Sequence, residues 1–81
     1  MREGEFFTRA RTKANLTQTE VAHALGYDCG QFISNIERDL ATLPNDKVRP
    51  FCALTRASVL GYLRLKINNS TRKLRQEILH D

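Results

Sequence analysis

Hydrophobic positions along this chain recur at helical spacing, not strand spacing. Phe6, Phe7, Ala10 and Ala14 return every three or four residues while Arg9, Arg11 and Lys13 take other faces. That predicts a helix over about Glu5 to Ala14 with both phenylalanines in a core. Asn15 tolerates the left-handed conformation, so a turn is expected there. Val21, Ala22 and Leu25 give a second helix over about Gln18 to Leu25. Thr17 is suited to cap it, with Glu20 completing a capping box and Leu16 and Val21 a hydrophobic staple. Gly26 then stops the helix in a conformation that glycine adopts without a Cβ penalty. The same signature repeats: Asp28 is expected to cap a third helix with Gln31, and Tyr27 to staple to Phe32. This helix, about Cys29 to Arg38, should bury Ile33 and Ile36 with Phe32 at the core's edge. Helix, glycine turn, helix is the expected organisation of the chain's centre.

Beyond it, Pro44 with Asn45 or Asp46 can open a fourth helix carrying Val48, Phe51, Cys52 and Leu54. Pro50 is tolerable only in a first turn, which moves the expected helix to about Arg49 to Arg56, with an irregular turn before it. Ser58 can cap a fifth. Leu60, Leu63, Ile67, Leu74 and Ile78 then form a near-heptad stripe, and Val59, Tyr62, Leu65 and Leu79 add apolar surface. The run Asn68-Asn69-Ser70-Thr71 is poor helix material and would divide this segment into two helices. The expectation is an all-α fold of five helices, or six if that run breaks the last. Residues 1–57 would form the core and residues 58–81 a C-terminal helical extension within one structural domain. The stripe holds more apolar surface than a small monomer needs, which favours a homodimer built on it.

Composition narrows the class. Eighty-one residues make one small domain of ordinary apolar content. Without a signal peptide, two cysteines imply a reducing, cytoplasmic setting rather than a disulfide framework. Cys29 and Cys52 lack ligand spacing, and His23 falls on an outer face far from His80, so no metal site or catalytic cluster is expected. Nothing suggests a cofactor or small-molecule ligand. No apolar run approaches the roughly 20 residues of a membrane span. An enzyme is the least supported reading.

The net charge of +4 favours a polyanionic partner but is unevenly spread. Residues 1–14 carry four basic and two acidic groups, net +2; residues 15–48 carry two against five, net −3; residues 49–81 carry seven against two, net +5. Phosphate contacts therefore cannot come mainly from basic side chains of the central helices. The outward face of the third helix would present Gly30, Gln31, Ser34, Asn35 and Arg38. Amides at this spacing can read adenine through N6 and N7, and arginine can read guanine or hold a phosphate. Many merely solvated helix faces have the same composition.

Leu16-Thr-Gln-Thr-Glu-Val-Ala, then Leu25-Gly26, then Ile33-Ser34-Asn35-Ile36-Glu37-Arg38 resembles the phage-repressor (Cro-like, xenobiotic-response-element) helix-turn-helix family. The resemblance covers roughly residues 5–60. It implies a lambda-repressor-like DNA-binding domain that enters the major groove of double-stranded DNA. It further implies base contacts from Gln31, Ser34 and Asn35, with Cys29, Gly30 and Gln31 as alternatives for the first of these positions. Backbone contacts would fall to Gln18, Thr17, Arg38 and Lys47, and Arg11 with Glu37 would form a buried ion pair. An amide-bearing helix end can hold phosphate without local positive charge, which answers part of the charge objection.

Three departures from the family pattern stand out. The span from Gly26 to Glu37 is one residue longer than in the shortest relatives. Asp39 stands where glycine is usual, and the loop from Leu40 to Asp46 has no basic residue before the next helix. The function implied is a bacterial or phage-encoded transcriptional regulator, a homodimeric repressor on a palindromic operator, associated with the nucleoid when bound. The alternative is an antitoxin-like or anti-regulator interaction module that keeps the fold without strong operator reading.

Overall fold

The computed structural model describes residues 1–67, which form five helices and no strand. These are α1 (Glu3–Lys13), α2 (Gln18–Ala24), α3 (Gln31–Glu37), α4 (Asn45–Thr55) and α5, which occupies residues 59–67 of the described chain. The all-α expectation holds. α1 lies across α3 and α4, and α2 packs on α3. Phe7, Ile33, Ile36, Phe51 and Tyr62 are wholly buried at the centre. Phe51 stacks on Phe7 with centroids 4.0 Å apart and takes the edge of Tyr62 at 5.9 Å. Because Tyr62 comes from α5, the segment after residue 58 begins inside the core rather than beside it. Leu60, Leu63 and Ile67 on the same helix are exposed. Leu74, Ile78 and the Asn68–Thr71 run lie outside the described residues.

Four helices end in the same way. After α1, α2 and α3 the chain passes through one left-handed residue: Asn15 (φ 60°), Gly26 (φ 91°) and Asp39 (φ 60°). Each time the next amide reaches back to an orphan carbonyl: Leu16 to Arg11 (3.2 Å), Tyr27 to Ala22 (2.8 Å) and Leu40 to Asn35 (2.8 Å). These are Schellman closures. Arg56 (φ 60°) ends α4, with Ala57 N–H donating to Cys52 O at 3.1 Å. Asp39 therefore takes the left-handed position that glycine usually fills, and it does more. Its carboxylate accepts the Gly4 amide at 3.0 Å, capping the start of α1 from the far side of the fold.

Three helix starts differ from expectation. α1 begins at Glu3 rather than Glu5, because Asp39 and the burial of Glu3 hold its first turn. α3 begins at Gln31 rather than Cys29. Asp28 does not cap it; Gly30 is the N-cap residue, and no side chain caps the helix. The reason is contact with α2: a Cβ on Gly30 would stand 3.3 Å from the Thr19 nitrogen, so the chain enters α3 pressed against the first turn of α2. α4 begins at Asn45, not Arg49, with Pro50 inside it. An interior proline costs about 3 kcal/mol. Here Val48, Phe51, Cys52 and Thr55 form a buried stripe at helical spacing. Burying such side chains stabilises by about 1.5–3 kcal/mol each, which outweighs the proline. Pro50 and Asp46, whose carbonyl it leaves unpartnered, are both exposed.

Glu3 closes the fold. It is 8% exposed, and its carboxylate accepts three bonds: Thr42 Oγ1 at 2.7 Å, the Leu43 amide at 2.9 Å and the Tyr62 hydroxyl at 2.6 Å. The Lys66 ammonium adds a bond to the Leu43 carbonyl and lies 6.0 Å from the Tyr62 ring centroid. Burial, and then the Glu3 carboxylate it donates to, hold the Tyr62 phenol far above the ordinary tyrosine range. The folded state thus keeps a proton that the unfolded chain releases near pH 10. Its stabilisation is complete below that pH and is lost as pH rises beyond it. Melts of the parent and Tyr62→Phe compared from pH 8 upward should show a gap in Tm that narrows past about pH 10. A gap of constant size would show that Tyr62 ionises equally in both states.

Candidate nucleic-acid interface

The outward side of α3 is the candidate site, and contacts from α1 and α2 hold the helix from the other side. Thr17 caps α2 as expected: its hydroxyl accepts the Glu20 amide at 3.1 Å, and Glu20 accepts the Thr17 amide at 2.9 Å. Those bonds to Thr17 hold the Glu20 carboxyl below its usual range. The cap orients the first residue of α2, Gln18, toward α3. There Gln18 Nε2 donates to Glu37 Oε1 at 3.1 Å.

Glu37 also receives Arg11 through two nitrogens, Nε to Oε2 at 2.6 Å and Nη2 to Oε1 at 3.2 Å. The Arg11 and Glu37 side chains are 15% and 8% exposed. A third Arg11 nitrogen, Nη1, donates to the Leu16 carbonyl at 2.8 Å, the residue that ends the first turn of the chain. One carboxylate near the end of α3 therefore joins α1, α2 and α3. The ion pair expected from the sequence is present and bidentate.

With its inner face held, α3 turns Gln31, Ser34 and Asn35 outward, Gln31 exposed and the other two half-buried. Gln31 Nε2 donates to Asn35 Oδ1 at 3.0 Å, so the two amides stand as one hydrogen-bonded unit a turn apart. The Gln31 carbonyl oxygen and the Asn35 amide hydrogens point away from that bond, an acceptor and donors side by side. Arg38 follows as the exposed C-cap. Gly30 is placed differently from the others: its Cβ direction runs into α2, not outward. Cys29 is exposed in the turn ahead of it.

Tyr27 stacks on Phe32 at 4.9 Å, the pair expected to meet, but with Gly30 rather than Asp28 as the N-cap residue the two do not occupy staple positions. Lys47 lies 5.7 Å above the Tyr27 ring. That places the cation beside the α2–α3 turn, close to the Gly26 backbone. The His23 ring nitrogen approaches the Asp28 carbonyl at 3.2 Å and takes part in no ligand cluster. Among the described residues no group of His, Cys, Asp and Glu has metal-binding geometry, and no helix is long and apolar enough to cross a membrane. Cys52 is buried, and burial pushes its thiol up.

Two contributors left no mark in the periodicity. Asp39 caps α1 as described, and Gly4 permits it. A Cβ on Gly4 would stand 2.5 Å from the Glu37 carbonyl oxygen, so α1 and the end of α3 touch backbone to backbone there. The one available signal was Asp39 itself, an acidic residue in a position that calls for a left-handed conformation.

Comparison with protein-family models, with curated proteins and with solved structures gives no match for this chain.

Proposed function

We propose that this protein is a sequence-specific DNA-binding regulator, a homodimeric repressor whose α2–α3 pair is a helix-turn-helix in a lambda-repressor-like domain. The observation that carries the reading is the bracing of α3 by Arg11 and Gln18 through Glu37, with a joined amide pair on its free side. A helix that must enter the major groove in one register needs such support. Gln31 and Asn35 supply the donor and acceptor pattern that reads an adenine edge, and their mutual bond limits the rotamer freedom lost on binding. Ser34 stands between them. Arg38, Gln18, Thr17 and Lys47 flank this face and would meet phosphates, which set register rather than sequence. Leu60 and Leu63, exposed on α5, would begin the protomer contact. In such a dimer the two copies of α3 would lie about 34 Å apart to read successive turns.

The test is selection from random duplexes followed by affinity measurement at several salt concentrations. A palindromic consensus bound by two protomers, with affinity falling steeply as salt rises, is the expected result. On that site Asn35→Ala should cost about 1–3 kcal/mol and relax preference at one position per half-site. Unchanged affinity and unchanged preference would remove Asn35 from the reading surface.

A second reading has its own observation. Residues 15–48 carry net −3, and α3 holds no cation between Gln31 and Glu37, which suits a protein-interaction module better than a phosphate surface. If no duplex is enriched at low salt, that reading takes over.

A further inference from the structure

An open trough lies on the side of α1 away from α3. Phe6, Arg9, Ala10 and Lys13 recur at three- and four-residue spacing and form one stripe of that helix. Gly4, Phe7 and Arg11, which meet α3, form the other. The first stripe faces the end of α4 across this trough of about 960 Å³. Phe6, Ala10, Leu54 and Ala57 supply its apolar floor, and Arg9, Lys13 and Arg56 its charged groups; among the described residues no carboxylate lines it. Glu5 partners Arg9 at 2.8 Å from outside the trough, while Lys13 and Arg56 make no ion pair among the described residues.

Arg56 reaches the trough from the left-handed residue (φ 60°) that ends α4.

From this geometry we infer that the trough receives an amphipathic helix of a partner protein, its apolar side on Phe6, Ala10 and Leu54 and its flanking carboxylates on Lys13, Arg9 and Arg56. Its open shape is against a small molecule, which needs enclosure over most of its surface. An apolar floor between two helices is the helix-in-groove arrangement, and the rim selects acidic flanks. The chain's own residues 68–81 carry three basic against two acidic groups, so the rim's charge does not favour them. Because α1 separates the trough from α3, a partner seated here leaves the amide face open. The inference does not rest on the DNA-binding reading.

The experiment uses the whole chain and a fluorescein-labelled designed peptide of about 14 residues, long enough to lie along α1. Leucines form its apolar stripe and glutamates its flanks; a second peptide carries lysine in place of every glutamate. The glutamate peptide should bind in a salt-sensitive manner and the lysine peptide should not. Lys13→Glu combined with Arg56→Glu should weaken the glutamate peptide about tenfold or more and let the lysine peptide bind. Both positions are exposed, and an unchanged melting curve checks that the variant is folded. Leu54→Ser should weaken both pairings through the floor. Equal binding of both peptides, no binding of either, or indifference to the charge reversals overturns the inference. So does displacement of the peptide by random duplex DNA, which would make the rim a phosphate surface. Self-association of the parent that the charge reversals abolish would likewise assign the trough to a second copy and overturn it.

Discussion

Glu37→Ala is expected to destabilise the domain by about 3–5 kcal/mol, because it strands a guanidinium that is largely out of water. Arg11 would keep its bond to the Leu16 carbonyl but lose both contacts that neutralise it, and the Gln18 amide would lose its acceptor. In a domain of this size each kcal/mol moves Tm by roughly 4–8 °C, so the variant should melt far below the parent or fail to fold. The companion variant separates charge from packing. Arg11→Met with Glu37→Leu removes both ions and keeps apolar volume, and it should recover most of the loss. A Glu37→Ala variant that melts with the parent would show the pair to be solvated. Were the double variant as unstable as the single one, the geometry of the three-helix junction would matter more than its charge.

The second large effect is expected at Glu3. Alanine there leaves the buried Leu43 amide without an acceptor and frees the hydroxyls of Thr42 and Tyr62. With about 1–3 kcal/mol for each unsatisfied buried group, the summed loss should reach about 3–5 kcal/mol in urea titration. Glu3→Gln is the informative contrast. Its oxygen can face Leu43 and Tyr62 while its amide donates to the Thr42 hydroxyl, so most bonds survive and the loss should be well under half as large. Equal losses for alanine and glutamine would show that the negative charge, not the bonding pattern, is what the site requires. A loss within about 0.5 kcal/mol for alanine would place Glu3 in solvent.

Residues with a local signature were legible from sequence. Thr17 with Glu20, Gly26 after Leu25, Asn15 after α1 and Ser58 three residues before Gly61 each act within one turn, and each does what its residue type permits. Arg11 and Glu37 stand 26 residues apart and entered through a resemblance rather than through spacing. What stayed hidden depends on contacts between distant segments. Glu3 precedes the helix that the periodicity predicts from about Glu5, and nothing nearby announced that Thr42, Leu43 and Tyr62 would meet there. Asp28 carried the right signature for a cap and was overridden, because the contact of Gly30 with Thr19 sets where α3 begins. Pro50 misled in the opposite direction: local rules place it in a first turn, while the buried stripe from Val48 to Thr55 carries the helix through it. On the candidate site, the amides were legible as outward residues. Their bond to one another was not, since rotamers decide it.

The bond between Glu3 and Tyr62 joins positions 59 residues apart. Contacts across the Gly26 turn are local and should form early, whereas this one has to await nearly all of the described chain. Ribosomes add about 5–20 residues per second, so for roughly 0.5–2 seconds a growing chain holds Phe7 and Phe51 without the ring that covers them. A product cut short before Tyr62 keeps a solvated carboxylate where the lid of the core belongs. The core around Phe7 and Phe51 is thus completed late, by the residue that joins the end of the described chain to its beginning.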